Sequence, residues 1–230
     1  MPAGTATSLS AMSLPAKLRA LTPDWLRDNP RVRAIMYGTG LIPPRPMHSG
    51  REATLLMALA RDADCVVELG VYEGSSASLF CQVLGPAARL VLVDPFEDPS
   101  GTALRPGHRA SPAATRRAVA RWARSGGPTV DWYIARSQDV GRRYPGPPCD
   151  LVFIDGEHSE EGAREDWDVW HSHVSPGGAV AFHDARLDKP QGGGHPGPTA
   201  VVDALFRNAP PDGWTLEREL DTLVVVRRRV

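Results

Sequence analysis

The chain has 230 residues, 42% of them hydrophobic and 23% charged, and its 26 Lys and Arg against 27 Asp and Glu leave a net charge of −1. That length suits one full α/β domain and excludes a second large one. The near-neutral balance points away from nucleic acid and from anionic membrane, and no apolar stretch reaches the roughly 18 residues of a membrane span.

Cys65, Cys81 and Cys149 are too few and too scattered for a disulfide framework or a thiolate zinc site, so a reducing, cytoplasmic setting is expected. Residues 1–50 read as an N-terminal extension, partly disordered, ahead of one domain over 51–230. Up to about residue 15 the composition is Ala, Ser, Thr and Pro. Weak helical patterning from Ala16 to Arg33 is broken by Pro23 and Pro30, and Leu41–Pro46 is a stiff connector. Ser49 caps a helix over Glu52–Ala60 whose apolar face is Leu55, Leu56 and Leu59.

Apolar strand-length runs then alternate with helical segments. Cys65–Leu69, Arg89–Asp94, Val130–Ala135, Leu151–Asp155, Ala179–Phe182 and Thr222–Val226 read as strands. Ser75–Leu84, a helix opened by Ser111-Pro112, and Thr199–Phe206 read as helices. So does the run through Ala163, Trp167, Trp170 and Val174, which Ser175–Gly178 should end. His171 and His173 on that helix are expected to be solvated, as is the basic end Arg227–Arg229. Continuous apolar strands between helices indicate a doubly wound, mainly parallel α/β sheet with helices on both faces. Ligands in such sheets bind beyond the carboxyl ends of the strands.

The first strand ends in Glu68-Leu69-Gly70-Val71-Tyr72-Glu73-Gly74-Ser75. Gly70 permits a tight turn beside a ligand and Gly74 lets the next helix start close to the strand. The loop is not G-x-G-x-x-G, which argues against NAD and hydride transfer. An acid ahead of the glycine suits a ligand with an ammonium group, although a structural turn with one buried carboxylate would read the same. Asp94 ends the second strand, where an acid can accept from both ribose hydroxyls or serve a turn before Pro95. Ser137, Gln138 and Asp139 follow the third strand and can meet an adenine edge or cap the next helix.

Taken in order, Glu68–Ser76, Asp94, Ser137–Asp139 and the strand Leu151–Asp155 resemble the successive motifs of class I methyltransferases. The Glu-Leu-Gly and Ser-Gln-Asp elements are similar to the catechol O-methyltransferase group, and the likeness runs over roughly residues 48 to 228. It implies a Rossmann-like, seven-stranded sheet with an antiparallel last strand behind a short N-terminal helical extension. It also implies S-adenosylmethionine bound through Glu68, Gly70, Tyr72, Gly74, Ser75, Asp94, Ser137, Gln138 and Asp155.

Asp155-Gly156-Glu157-His158 follows the fourth strand and His183-Asp184 the fifth, so neighbouring parallel strands bring these groups to one edge. Asp155, His183 and Asp184 are enough for a divalent metal with open positions. The segment resembles metal-dependent O-methyltransferases of the catechol and macrolide-sugar types, which hold magnesium on acids at these places. In the sugar enzymes a histidine at the place of His158 is the base, a task to which an imidazole is suited. His183 stands where those families carry an acid, which leaves magnesium, manganese or no metal open, and His183 itself can be ligand, catalytic group or partner of Asp184. His195, in a Gly-rich loop beside the site, could touch the acceptor but reads first as a plain loop residue.

The expected activity is methyl transfer to a hydroxyl of a small natural product, such as a sugar or vicinal diol, in natural product biosynthesis. The alternatives are metal-free N-methylation and a metal-dependent hydroxylase. The partner is a small hydroxylated substrate, without nucleic acid or membrane, and the N-terminal extension could supply a homodimer contact.

Overall fold

A computed structural model describes residues 29–96, 110–123, 126–188, 193–208 and 210–230. The expected disorder of residues 1–15 and most of the patterning from Ala16 to Arg33 lie outside these residues.

Seven strands form one sheet in the order β3-β2-β1-β4-β5-β7-β6. They are β1 (Cys65–Leu69), β2 (Arg89–Val93), β3 (Thr129–Tyr133), β4 (Cys149–Ile154), β5 (Val174–Phe182), β6 (Trp214–Leu220) and β7 (Leu223–Arg228). Pairing is parallel from β3 to β5, and β7 runs antiparallel to both β5 and β6. The order reverses between β1 and β4, the place where an open α/β sheet leaves a crevice.

Local sequence explains the helix starts. In α1 (Pro30–Thr39) the Asn29 side chain accepts from the amides of Arg31 and Val32. Ser49 and Glu52 form a reciprocal capping box on α2 (Gly50–Ala60). Helix α3 (Ser75–Val83) begins at Gly74, and α4 (Pro112–Ala120) has Ser111 as cap and proline at its first position. A short α5 (Ser137–Gly141) follows β3, while Ser159 caps α6 (Glu160–Trp170). Helix α7 (Pro196–Val202) continues as a π-helical turn over Asp203–Arg207.

Alternation along the buried strands feeds two cores. Cys65, Val67 and Leu69 pack with Trp167, Trp170, Phe182 and Phe206 on one face. Val66, Leu90 and Leu92 pack with Leu56, Phe80 and Phe153 on the other, joined by partly buried Leu55 and Leu59. The three cysteines are buried and free.

The structure corrects three readings and adds a strand. Helix α6 stops at Trp170, and Ser175–Gly178 lie inside β5, where a register shift against β4 tolerates Pro176. The run Trp214–Leu220 is a strand that its charges conceal; Glu217 and Arg218 are exposed on the sheet's edge, where charge blunts pairing with other chains. Arg227 and Arg228 belong to β7, paired to Glu217 and to the carbonyls of Gly177 and Val174. His171 and His173 are part-buried and bonded to the carbonyls of Trp167 and Gly141 at 2.8 and 2.9 Å.

Candidate active site

The parallel register stacks four strand ends at one edge. The amide of Gly70 donates to Val93 O, that of Asp155 to Leu69 O, and that of His183 to Ile154 O, at 2.8–3.0 Å. Gly70 has φ +87°, and a Cβ there would lie 2.1 Å from the Asp155 carbonyl oxygen, so only glycine lets the loop cross β4. Beyond it, the Asp94 carboxylate accepts from the amides of Val71 at 2.7 Å and Tyr72 at 2.8 Å through Oδ2, and from Phe96 at 2.6 Å through Oδ1. Tyr72 is held at φ +52°, a strained conformation for a bulky residue, and its carbonyl accepts from Thr115 Oγ1 at 2.7 Å. Asp94 therefore shapes the glycine loop as well as standing at its mouth.

Glu68 is fully buried on the α3 face, where Ser76 donates to it. Burial pushes its carboxyl well above the ordinary range, with the Asp155 and Asp94 charges adding to the shift and Ser76 opposing it. The carboxyl is thus turned to α3 rather than open to a ligand. Ser137 and Gln138 also turn inward, both donating to Asp166 on α6, Gln138 at 2.9 Å. Burial raises Asp166 to about 7, against the Ser137 hydrogen bond and with help from Glu157.

The loop is fastened from outside as well. Glu73 pairs with Arg33 of α1 and accepts from the Arg45 amide at 2.7 Å. Ser75 Oγ lies 3.5 Å from Nε2 of His48, a residue that sequence reasoning passed over.

At the ends of β4 and β5 the remaining groups converge. His183 is 3% exposed, with Nδ1 2.9 Å from Asp155 Oδ1 and 3.6 Å from Asp184 Oδ2, and Nε2 3.7 Å from Glu52 Oε2. Neither ring nitrogen has a well-aligned hydrogen bond, so charge holds this contact more than direction does. Burial would lower His183, but the Asp155 charge, with Glu52 and Asp184, outweighs it and lifts the imidazolium to about 11. Glu52 in turn is held far below the usual carboxylate range: burial opposes this, and the His183 imidazole beside it, with hydrogen bonds from Ser49 and Thr222, overrides it. Glu52 was legible only as the first residue of a helix capped by Ser49.

His158, at the end of the β4–α6 turn beside the Ser159 cap, places Nε2 3.2 Å from Asp184 Oδ2 and 4.0 Å from Asp155 Oδ1. Asp184 has φ +53°. Burial would raise its carboxyl, but the hydrogen bond from His158 and the His183 charge hold it below its ordinary value. His195, expected to be a plain loop residue, stacks obliquely on His158 with ring centroids 4.3 Å apart. A small pocket beneath is lined by Ile154, His158, Ala163, Phe182, His183 and Pro198. An imidazole with an ionised carboxylate beside it, on the rim next to a glycine loop, can accept a proton from a substrate held there.

A family described as a methyltransferase domain matches residues 67–185, from within β1 to just past β5. The chain belongs to this methyltransferase family. Among solved structures, this methyltransferase is similar to the O-methyltransferase TomG of Streptomyces achromogenes, involved in tomaymycin synthesis and solved with S-adenosylmethionine: 18% identity, 94% of this chain, 95% of that one, TM-score 0.56. A Bacillus cereus O-methyltransferase solved with S-adenosylhomocysteine is 14% identical over 91% of this chain and 93% of its own, with TM-score 0.57. CalS11, a TDP-rhamnose 3'-O-methyltransferase of calicheamicin biosynthesis, is 19% identical over 91% and 98%, with TM-score 0.57. The fold is that of class I S-adenosylmethionine-dependent methyltransferases.

The likeness to metal-dependent enzymes can be tested on the residues themselves. Asp155, His183 and Asp184 each bring a ligand atom within 4.8 Å of the others. The set does not fit magnesium, which takes oxygen donors, because its third member is a buried imidazole already committed to Asp155 at 2.9 Å. His183 instead lies between the carboxylates of Asp155 and Glu52, which favour its protonated form.

No helix among the described residues is long and apolar enough to cross a membrane.

Proposed function

We propose that this protein is an S-adenosylmethionine-dependent O-methyltransferase acting on a hydroxyl of a small natural product, with a sugar or vicinal diol as the preferred class. The observation that carries the reading is the His158–Asp184 contact of 3.2 Å on the rim where the Gly70 loop packs against Asp155. The domain match and the activities printed for TomG and CalS11 support it.

S-adenosylmethionine supplies a methyl group on a sulfonium sulfur, which leaves as a neutral thioether. The loop of Gly70, Tyr72, Gly74 and Ser75, with Asp94 toward the ribose and Asp155, would hold it. His158 accepts the hydroxyl proton as the oxygen bonds to the methyl carbon, and Asp184 favours the imidazolium that forms. His183, locked between Asp155 and Glu52, sets the charge of this edge. We assign the protein to the cytoplasm, with residues 1–50 as an extension that can serve a homodimer.

Calorimetric titration with S-adenosylhomocysteine, in EDTA and again with added magnesium or manganese, tests the reading. Binding of equal strength in every buffer is expected. No binding under any condition overturns the assignment.

A further inference from the structure

Besides the donor set of Asp155, His183 and Asp184, a second group converges on the same rim. His158, Asp184 and His195 each place one ligand atom within 4.8 Å of the other two. Asp184 Oδ2 lies 3.2 Å from His158 Nε2 and 3.9 Å from His195 Nε2.

The three come from different segments that are locked together by backbone. The His195 amide donates to the Asp184 carbonyl at 2.7 Å, and Thr199 Oγ1 returns a bond to the His195 carbonyl at 2.7 Å. Gly194, at φ +79°, packs so closely that a Cβ would lie 1.9 Å from the Arg186 carbonyl oxygen. Gly197 brings the start of α7 onto the His158 turn, where a Cβ would lie 2.3 Å from the His158 carbonyl oxygen. His195 is therefore aimed from a seated backbone, while its side chain stays about half exposed at 52%.

Donor chemistry narrows the ligand. Two imidazoles and one carboxylate are the mixed nitrogen and oxygen set that borderline divalent ions take, and magnesium and calcium take oxygen. Three protein donors on an accessible rim leave positions for water.

We propose that His158, Asp184 and His195 form a binding site for a borderline divalent cation of the zinc, cobalt(II) or nickel(II) class. The site depends on the O-methyl transfer reading in one respect: His158 is also the proposed base. An imidazole bound to a cation cannot accept the hydroxyl proton, so a cation of this class and catalysis by His158 exclude each other.

Cobalt(II) titration of the full chain, saturated with S-adenosylhomocysteine, tests the site through visible d–d absorption. Bands that saturate at one equivalent are expected, displaced by zinc and untouched by excess magnesium. His195→Ala should weaken cobalt binding by about tenfold or more. Its unchanged affinity for S-adenosylhomocysteine will show that it folds. Absence of visible bands, or equal cobalt affinity in His195→Ala, overturns the proposal. Failure to bind S-adenosylhomocysteine would sink the methyltransferase reading instead and leave the cobalt result standing.

Discussion

Arg33 and Glu73, forty positions apart, meet in a buried two-point ion pair, Nε to Oε1 at 2.5 Å and the terminal nitrogen to Oε2 at 2.6 Å. One partner lies on α1 and the other in the loop after β1, and the same carboxylate takes the Arg45 amide. The segment from α1 to Arg45, read from sequence as an extension apart from the domain, is thus a support of the glycine loop after β1. Arg33→Ala leaves a buried carboxylate short of its cation, and removing one member of such a pair costs about 3 kcal/mol. Urea unfolding should show that loss, with weaker S-adenosylhomocysteine binding alongside it. A variant as stable as the parent would remove the pair from the account.

Asp94 is expected to matter through two effects that point the same way. Its carboxylate stands where the ribose is proposed to lie, and it fixes the Val71 and Tyr72 amides from 2.7 and 2.8 Å. Hydrogen bonds to a charged group contribute about 1.5–3 kcal/mol each, so Asp94→Ala should lower affinity for S-adenosylhomocysteine by about tenfold or more. Unchanged affinity in calorimetry would sink both roles.

The strand ends were legible because a parallel sheet leaves little choice about where its carboxyl ends gather. Gly70, Asp94, Asp155, His183 and Asp184 each follow directly from an apolar run, and the register joins them. Glu52 and His48 were hidden for the opposite reason. Ser49-x-x-Glu52 has a complete local explanation as a capping box, and nothing local says that the same carboxylate reaches His183 and the Thr222 amide. Ser137 and Gln138 lie where sequence placed them, but the direction of their side chains depends on Asp166, 29 and 28 positions away on α6. His195 looked slack because of its glycines. In the fold, the positive φ of Gly194 and the close approach of Gly197 seat the segment instead.

Asp166 gives stability a pH dependence of definite sign. Its folded value of about 7 lies above the ordinary 3.8, so the folded state keeps a proton that the unfolded chain releases. The resulting stabilisation is fully present below the unfolded value and is lost as pH rises through about 7. Asp166→Asn keeps the neutral form at every pH. Its urea midpoint relative to the parent should rise between pH 5 and pH 8; a constant difference over that range would mean that Asp166 is already ionised in the fold.

His158→Ala separates binding from chemistry. The imidazole lies 3.2 Å from Asp184, and its backbone is held independently by the packing of Gly197, so deleting the ring should leave the rim in place. Affinity for S-adenosylhomocysteine is therefore expected to stay within about twofold, since the hydrogen bonds that shape the cofactor loop are made elsewhere. Turnover with a hydroxyl acceptor, found by screening nucleotide sugars and vicinal diols, should fall by about 10²–10⁴, the usual worth of a positioned base. The loss should ease as pH rises and solvent hydroxide takes over the proton. Full activity in the variant would remove His158 as the base, and a loss that tracked weaker cofactor binding would make it a residue of the binding site instead.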